Sequence, residues 1–285
     1  MSRKKSLHPH WTTDHIPDQS GRLAIVTGAY SGIGRETARV LAQKNATVIL
    51  AVRNVAKAED VADAIRMQYV EADISVRELD VASLASIKSF ADAIIDDYKH
   101  LDLLIDNAGV MACPYSTTED GFEIQFGTNH LGHFALTLRL LPLLAQTPRS
   151  RVVLVSSLAH MRGKLDFTYL NWTKRKYNTA QAYSDSKLAN LYFAYELARR
   201  LEAQGNGPLV TAAHPGWTTT ELKRHMGNFK FLNNVFGQSS EMGALPTLRA
   251  ALDADACPGD YFGPDKYFEL NGRPVKVKST ARSHD

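Results

Sequence analysis

Five stretches of this chain are apolar almost without a break: RLAIVTG (22–28), ATVILAV (46–52), LDLLIDNAG (101–109), RVVLVSS (151–157) and PLVTAAHPG (208–216). A strand with one wet face alternates apolar and polar residues, whereas a strand covered on both faces does not. Between these runs lie segments with helical spacing. They are GRETARVLAQKN (34–45), VAKAEDVADAIR (55–66), SLASIKSFADAIIDDY (83–98), FGTNHLGHFALTLRLLPLLAQ (126–146), AQAYSDSKLANLYFAYELARRLEAQ (180–204) and EMGALPTLRAALDA (241–254). Pro142 is expected to bend or shorten the fourth of them. SVRELD (75–80) reads as a further strand and KYFEL (266–270) as a last short one. Strands alternating with helices predict an α/β fold, a doubly wound parallel sheet covered on both faces. Ligands of such sheets sit at the carboxyl ends of the strands.

No Pro/Gly/Ser-rich linker interrupts the interior, so residues 21–285 are expected to form a single domain. Residues 1–20 are polar and without period and read as a surface arm. The net charge of +3, with both signs mixed, gives no case for nucleic acid as a partner. No run approaches the length of a transmembrane helix, and the basic SRKK start is not followed by an apolar signal segment. The two cysteines, Cys113 and Cys257, argue against a disulfide framework and fit a reducing, cytoplasmic setting. The histidines His130, His133, His160 and His214 do not have metal-ligand spacing, and no metal motif is present. His214 is expected to pack or hydrogen-bond locally.

The turn VTGAYSGIGRE joins the first strand to the first helix, with Gly28, Gly32 and Gly34 spaced G-x3-G-x-G. Glycines there permit a tight turn and let a pyrophosphate approach the backbone. The helix start adds free N–H groups and a positive dipole end. A flexible turn or close helix–strand packing is the plainer alternative. At the end of the second strand, where an acid would bind a ribose 2′-hydroxyl, stand Val52 and Arg53. A guanidinium can hold a 2′-phosphate through two parallel hydrogen bonds, so NADP(H) is the expected cofactor. A solvated surface arginine is the other reading.

AYSDSKLAN (182–190) places Tyr183 and Lys187 four residues apart, as any helix surface can. Their meaning comes from the other motifs. With TGAYSGIG, DNAG, TNHLGHF, VSSLAH, YSDSK and HPG in this order, residues 20–270 resemble the short-chain dehydrogenase/reductase family, whose fold is Rossmann-type. GVMACPYSTTEDGFE and AYSDSKLANLYF look more narrowly like its retinol dehydrogenase-like branch, which includes WW-domain oxidoreductases and is close to light-dependent protochlorophyllide reductases. The resemblance implies that Tyr183 is the general acid/base and Lys187 its helper. It implies that Ser157 orients the carbonyl and Asn129 holds a water linking Lys187 to solvent. It assigns the cofactor shell to Gly28, Tyr30, Ser31, Gly32, Ile33 and Gly34, to Arg53 and Asn54, and to Asp80 and Val81 near the adenine. Asn107, Ala108 and Gly109 would line the cleft. Tyr183, Lys187, Pro215, Gly216 and Thr218 would lie by the nicotinamide, and Thr220 by its phosphates. A phenol's pKa of about 10 is high for proton exchange at neutral pH, and a nearby ammonium is expected to lower it.

The chain departs from the family's pattern in three places. Tyr30 puts a ring where many relatives have Asn. Asp106 replaces the first Asn of NNAG, and would either bond a neighbouring turn or add negative charge to the site. The interval from Ser157 to Tyr183 holds an excursion, MRGKLDFTYLNWTKRKYNT, expected to border the substrate mouth. A substrate loop is expected at about 217–240, where Met226, Phe229, Phe231, Leu232, Val235 and Phe236 read as a hydrophobic lid, as core packing or as a membrane-touching patch. The leading expectation is an NADP-dependent carbonyl reductase/alcohol dehydrogenase acting on a hydrophobic small-molecule ketone or aldehyde. The alternatives are a carbon–carbon double-bond reductase and an NADP-binding sensor or scaffold without turnover. The oligomeric state stays open: family members often pair through the two long helices after strands four and five, but the sequence does not separate an outer apolar face from a core face there.

Overall fold

The computed structural model describes residues 10–218 and 237–284. Most of the expected substrate loop and Thr220 therefore lie outside the described residues. The elements run β1 (Leu23–Thr27), α1 (Gly32–Gln43), β2 (Thr47–Val52), α2 (Val55–Gln68), β3 (Ile74–Glu78), α3 (Leu84–Asp97) and β4 (Leu103–Asp106). There follow a single turn α4 (Ile124–Phe126), a π-helical turn (Gly127–Leu131), α5 (Gly132–Gln146), β5 (Arg151–Val155) and a 3-10 turn (Leu158–Arg162). The chain continues with α6 (Thr179–Gln204), β6 (Leu209–Ala213), α7 (Ser240–Leu252), β7 (Tyr261–Lys266) and β8 (Asn271–Lys276). The strands form one sheet in the order β3-β2-β1-β4-β5-β6-β7-β8. All neighbours are parallel except β7 and β8. The expected doubly wound sheet is present, and its strand order reverses between β1 and β4.

The apolar strands are buried on both faces, as their composition requires. On one face Ala24, Val26, Val48 and Leu50 pack with Val40 and Leu41 of α1, Ala62 and Ile65 of α2, and Leu248 of α7. On the other, Leu23, Ile25, Ile49 and Leu104 pack with Phe90 and Ile94 of α3, Leu140 of α5 and Leu191 of α6. Successive residues of β1 thus feed two different cores. Helix α5 runs through Pro142 to Gln146. Among the described residues, no helix is long and apolar enough to cross a membrane.

Three expectations are corrected. KYFEL is not a strand. Lys266 ends β7, and Tyr267, Phe268 and Glu269 form the hairpin turn in left-handed conformation (φ 48°, 56° and 65°). Its flanking strands, YFGPDK and NGRPVK, escape the period-2 rule because glycine and proline punctuate them. Pro264 and Pro274 face each other in the β7–β8 pair at the sheet's edge, where a missing N–H is tolerated. The long helix over 126–146 is not uniform: it is entered through the π turn, and Gly132 just after that turn sits against the Val81 carbonyl, where any Cβ would collide. The N-terminal stretch is not wholly a surface arm: Trp11 and Ile16 are 2% and 3% exposed and join the core beside α1 and α2.

Trp11→Ala is therefore expected to lower the unfolding free energy by about 3 kcal/mol in urea titration. A change within about 0.5 kcal/mol would return residue 11 to the surface.

Candidate active site

The parallel strands end on one edge of the sheet, and the expected site residues gather there. Gly28 to Gly34 lie between β1 and α1, Arg53 and Asn54 follow β2, and Asp80 and Val81 follow β3. Asn107 to Gly109 follow β4, Ser157 follows β5, and Pro215 to Thr218 follow β6. Tyr183 and Lys187 come from the first turns of α6.

Contacts draw five of these residues together. The Ser157 side chain lies near enough to the Tyr183 hydroxyl to favour its ionised form. The Ser157 hydroxyl also accepts the Ala159 N–H at 3.2 Å, capping the 3-10 turn. Lys187 is 4% exposed, and its ammonium donates to the Val155 carbonyl at 3.0 Å, 5.8 Å from the centre of the Tyr183 ring. A Cβ on Gly109 would stand 3.1 Å from Asn129 Oδ1 and 3.7 Å from Lys187 Nζ, so only a bare backbone fits comfortably there. The Asn129 carboxamide accepts the Val110 N–H at 2.7 Å and donates to the Val110 carbonyl and the Ser186 hydroxyl. Its own carbonyl accepts from Asn190 Nδ2 at 3.1 Å and His133 Nδ1 at 3.0 Å.

Burial decides the charges. It pulls the Lys187 ammonium down to about 8, still mostly protonated at neutral pH. It pushes the Tyr183 phenol above its ordinary value, and the neighbouring Ser157 side chain offsets this only in part. The net shift in the chain by itself is upward, opposite to the lowering expected from the ammonium, because burial of the phenol dominates. Tyr183 is thus a neutral phenol at pH 7, able to give a proton. Asp106 does not add negative charge to the site. It is 1% exposed, one oxygen accepts the Thr137 hydroxyl at 2.7 Å, and the other meets no partner. Burial pushes it up to about 8, so it is a neutral acid turned toward α5.

The HPG turn is clamped from the far edge of the sheet. His214 is fully buried. Its Nδ1 accepts the Gly216 N–H at 3.2 Å, so Nε2 carries the proton toward Glu269 at 3.0 Å. Trp217 N–H donates to the Leu270 carbonyl at 2.6 Å. Gly216 is left-handed (φ 65°) and abuts the Leu270 carbonyl. The Thr218 hydroxyl is turned back onto the Pro215 carbonyl at 2.8 Å. Residue-type patterns missed Thr27, Ser186, Asn190 and Glu269. A buried Thr closing an apolar strand was the available signal for Thr27.

The residues after β1 and β2 fit a nucleotide phosphate. Gly28 and Gly32 are left-handed, and a Cβ on Gly34 would collide with the Asn107 amide. Ser31, just before helix α1, makes no side-chain cap, and the first turn carries no acid, leaving the helix N–H groups for an anion. Beside it lies a cavity of about 530 Å³ lined by Tyr30, Arg53, Asn54, Val55, Lys57 and Glu78. The Arg53 side chain is 73% exposed and rests 3.7 Å from Asp80. Asn54 caps α2 by accepting the Lys57 N–H at 3.1 Å.

The state of Asp106 is open to direct test. Between about pH 4 and its folded value near 8, the folded chain holds a proton that the unfolded chain has lost. Stability from this group is whole below pH 4 and is lost as the pH rises through 8. Asp106→Asn removes the slope of about 1.4 kcal/mol per pH unit. Its stability advantage over the parent in urea should therefore be on the order of 3 kcal/mol larger at pH 7.5 than at pH 5. Equal differences at the two pH values would mean that Asp106 is ionised in the fold.

The model of the short chain dehydrogenase family matches residues 22–230. Retinol dehydrogenase 13 of Homo sapiens is 47% identical over 253 residues, covering 85% of this chain and 76% of that protein. Retinol dehydrogenase 12 of Mus musculus is 44% identical over 267 residues, covering 92% and 84%. A solved short chain dehydrogenase from Shigella flexneri 2A str. 301, complexed with NADP, superposes with a TM-score of 0.66 at 26% identity, covering 85% of this chain and 96% of that one. Motif order, strand order and these similarities agree: the chain belongs to the short-chain dehydrogenase/reductase family, in its retinol dehydrogenase-like branch.

Proposed function

We propose that this oxidoreductase uses NADP(H) to interconvert the carbonyl and alcohol forms of a hydrophobic aldehyde or ketone, with retinal and retinol the first pair to try. The observation that carries the reading is the meeting of Ser157, Tyr183 and Lys187 beside the bare backbone of Gly109. The names of the retinol dehydrogenase relatives support the substrate class. Arg53 at the mouth of its cavity, and the NADP in the Shigella relative, support the cofactor.

When bound, the dinucleotide supplies or takes up the hydride. The chain's own residues manage the oxygen. Ser157 donates to the substrate oxygen and fixes its direction. Tyr183 gives its phenolic proton to that oxygen as negative charge develops, or removes it in the alcohol-to-carbonyl direction. Lys187 has three donors; with one on Val155, two remain for a ribose and for the field that steadies a phenolate. Asn129 ties the loop after β4, at Val110, to the catalytic helix α6.

The experiment is cofactor oxidation followed by absorbance, with NADPH and NADH separately, on retinal and a panel of aliphatic and aryl aldehydes and ketones. Turnover preferring NADPH is expected. Tyr183→Phe should lower kcat by about a hundred- to ten-thousand-fold while NADPH still binds, measured by cofactor fluorescence. Loss of binding as well would make Tyr183 structural. Binding without turnover by the parent on the whole panel would favour the double-bond reductase or the sensor.

Arg53→Ala should weaken NADPH binding about tenfold to a hundredfold and leave NADH unchanged. An equal effect on both cofactors would remove the 2′-phosphate role.

A further inference from the structure

Below the site a buried chain of hydrogen bonds runs from the turn after β4 to Lys187, and a histidine stands at its centre. The Thr27 hydroxyl accepts the N–H groups of Asn107 and Ala108, each at 2.9 Å. The same hydroxyl lies 3.0 Å from His133 Nε2. His133 Nδ1 lies 3.0 Å from the carbonyl of Asn129, in the π turn. That carbonyl also accepts from Asn190, which reaches the Val155 carbonyl at 3.2 Å, the oxygen that holds Lys187. Thr27 is fully buried and His133 is 1% exposed, so water does not compete for these bonds.

The directions follow from the partners. A carbonyl only accepts, so Nδ1 must carry a proton. Burial, aided by the Lys187 charge and His130, pulls His133 down to about 4, and it is neutral at pH 7. A neutral imidazole with its proton on Nδ1 leaves Nε2 bare. Thr27 then donates to Nε2; the Ile105 carbonyl, at 3.4 Å, is the poorer acceptor for that proton. With two N–H groups arriving and one proton leaving, the hydroxyl is saturated. Each bond of the chain is fixed in one sense.

We propose that His133 is a positioning residue, held as the Nδ1–H tautomer, that ties the cleft-lining turn Asn107–Ala108 to the Asn129–Asn190–Lys187 side of the site. It touches no reacting atom. It sets the distance between the backbone that the dinucleotide lies against and the ammonium that serves Tyr183. This rests on the proposed oxidoreductase reading, but its first test does not.

In the full-length protein with ¹⁵N-labelled histidine, long-range proton–nitrogen spectra at pH 7 should assign His133 as Nδ1–H with a bare Nε2. An Nε2–H tautomer or an imidazolium would overturn the proposal whether or not the protein turns over substrate. His133→Phe removes both bonds, and His133→Asn places an amide N–H where Nδ1 stood. In the folded fraction, His133→Phe should lose about tenfold or more in kcat, with the NADPH dissociation constant, read by fluorescence, changed less than about threefold. His133→Asn should recover most of that kcat. Folded His133→Phe with parental kcat would overturn the positioning role. If His133→Phe does not fold, His133→Asn decides: near-parental kcat supports the link to Asn129, and a loss as large as about tenfold removes it.

Discussion

The site depends on a cation that the fold has taken out of water. A buried ammonium is costly unless fixed oxygen atoms hold it. Here the oxygen is the Val155 carbonyl at the end of β5, reached by Lys187 from α6. The helix must therefore lie across the strand end at one height. Other buried polar groups hold it there: Ser156, just after β5, donates to the Lys187 carbonyl at 2.8 Å, and on the helix Asn190 bridges Val155 and Asn129 while Ser186 links Asn129 to the Tyr183 carbonyl. The position of Tyr183 over Ser157 follows from this lattice. An ordinary amphipathic helix would slide at little cost; one carrying buried Ser, Lys and Asn side chains in sequence cannot, because each shift strands a polar atom.

The titratable groups around the lysine are arranged by the same burial. His130 and His133 are drawn down to about 4 and Asp106 is driven up to about 8, so all three are neutral at pH 7. Among the described residues no carboxylate beside Lys187 cancels its charge, and burial is the cause of its lowered value. A phenolate formed on Tyr183 would then be the natural counter-charge. The neutral phenol favoured by the chain alone and the uncancelled ammonium describe a site poised for proton transfer.

What the sequence made legible was whatever depends on side-chain type at fixed spacing. Unbroken apolar runs announced the doubly covered strands, and the glycine turn and the Tyr183–Lys187 pair stood out once motifs occurred in order. The roles of Thr27, Asn190 and Glu269 were not legible, because each arises from contacts across dozens of residues. Asp106 was noticed as an exception, but its charge was not readable: that required knowing it faces Thr137 and not the cleft. The β7–β8 hairpin was missed for another reason. Its strands carry Gly263, Pro264, Gly272 and Pro274, residues that locally argue for a loop, and sheet pairing at an edge overrides them.

That hairpin carries more than the edge of the sheet. Three consecutive non-glycine residues in the left-handed region, Tyr267 to Glu269, form a turn that local preference disfavours by roughly 1–2 kcal/mol each. Such a turn persists only where surrounding contacts determine it. Here they lead to the HPG turn: Glu269 accepts a hydrogen bond from His214 Nε2, and the Leu270 carbonyl accepts one from the Trp217 N–H. Gly272 N–H reaches Gln238, whose backbone in turn bonds Trp217. The strained hairpin and the glycine turn hold each other, so the segment after β6 is braced by the last strands of the fold. If the turn lies beside the nicotinamide, as the family resemblance implies, it needs a rigid support on its outer side, and in this chain the antiparallel hairpin provides it.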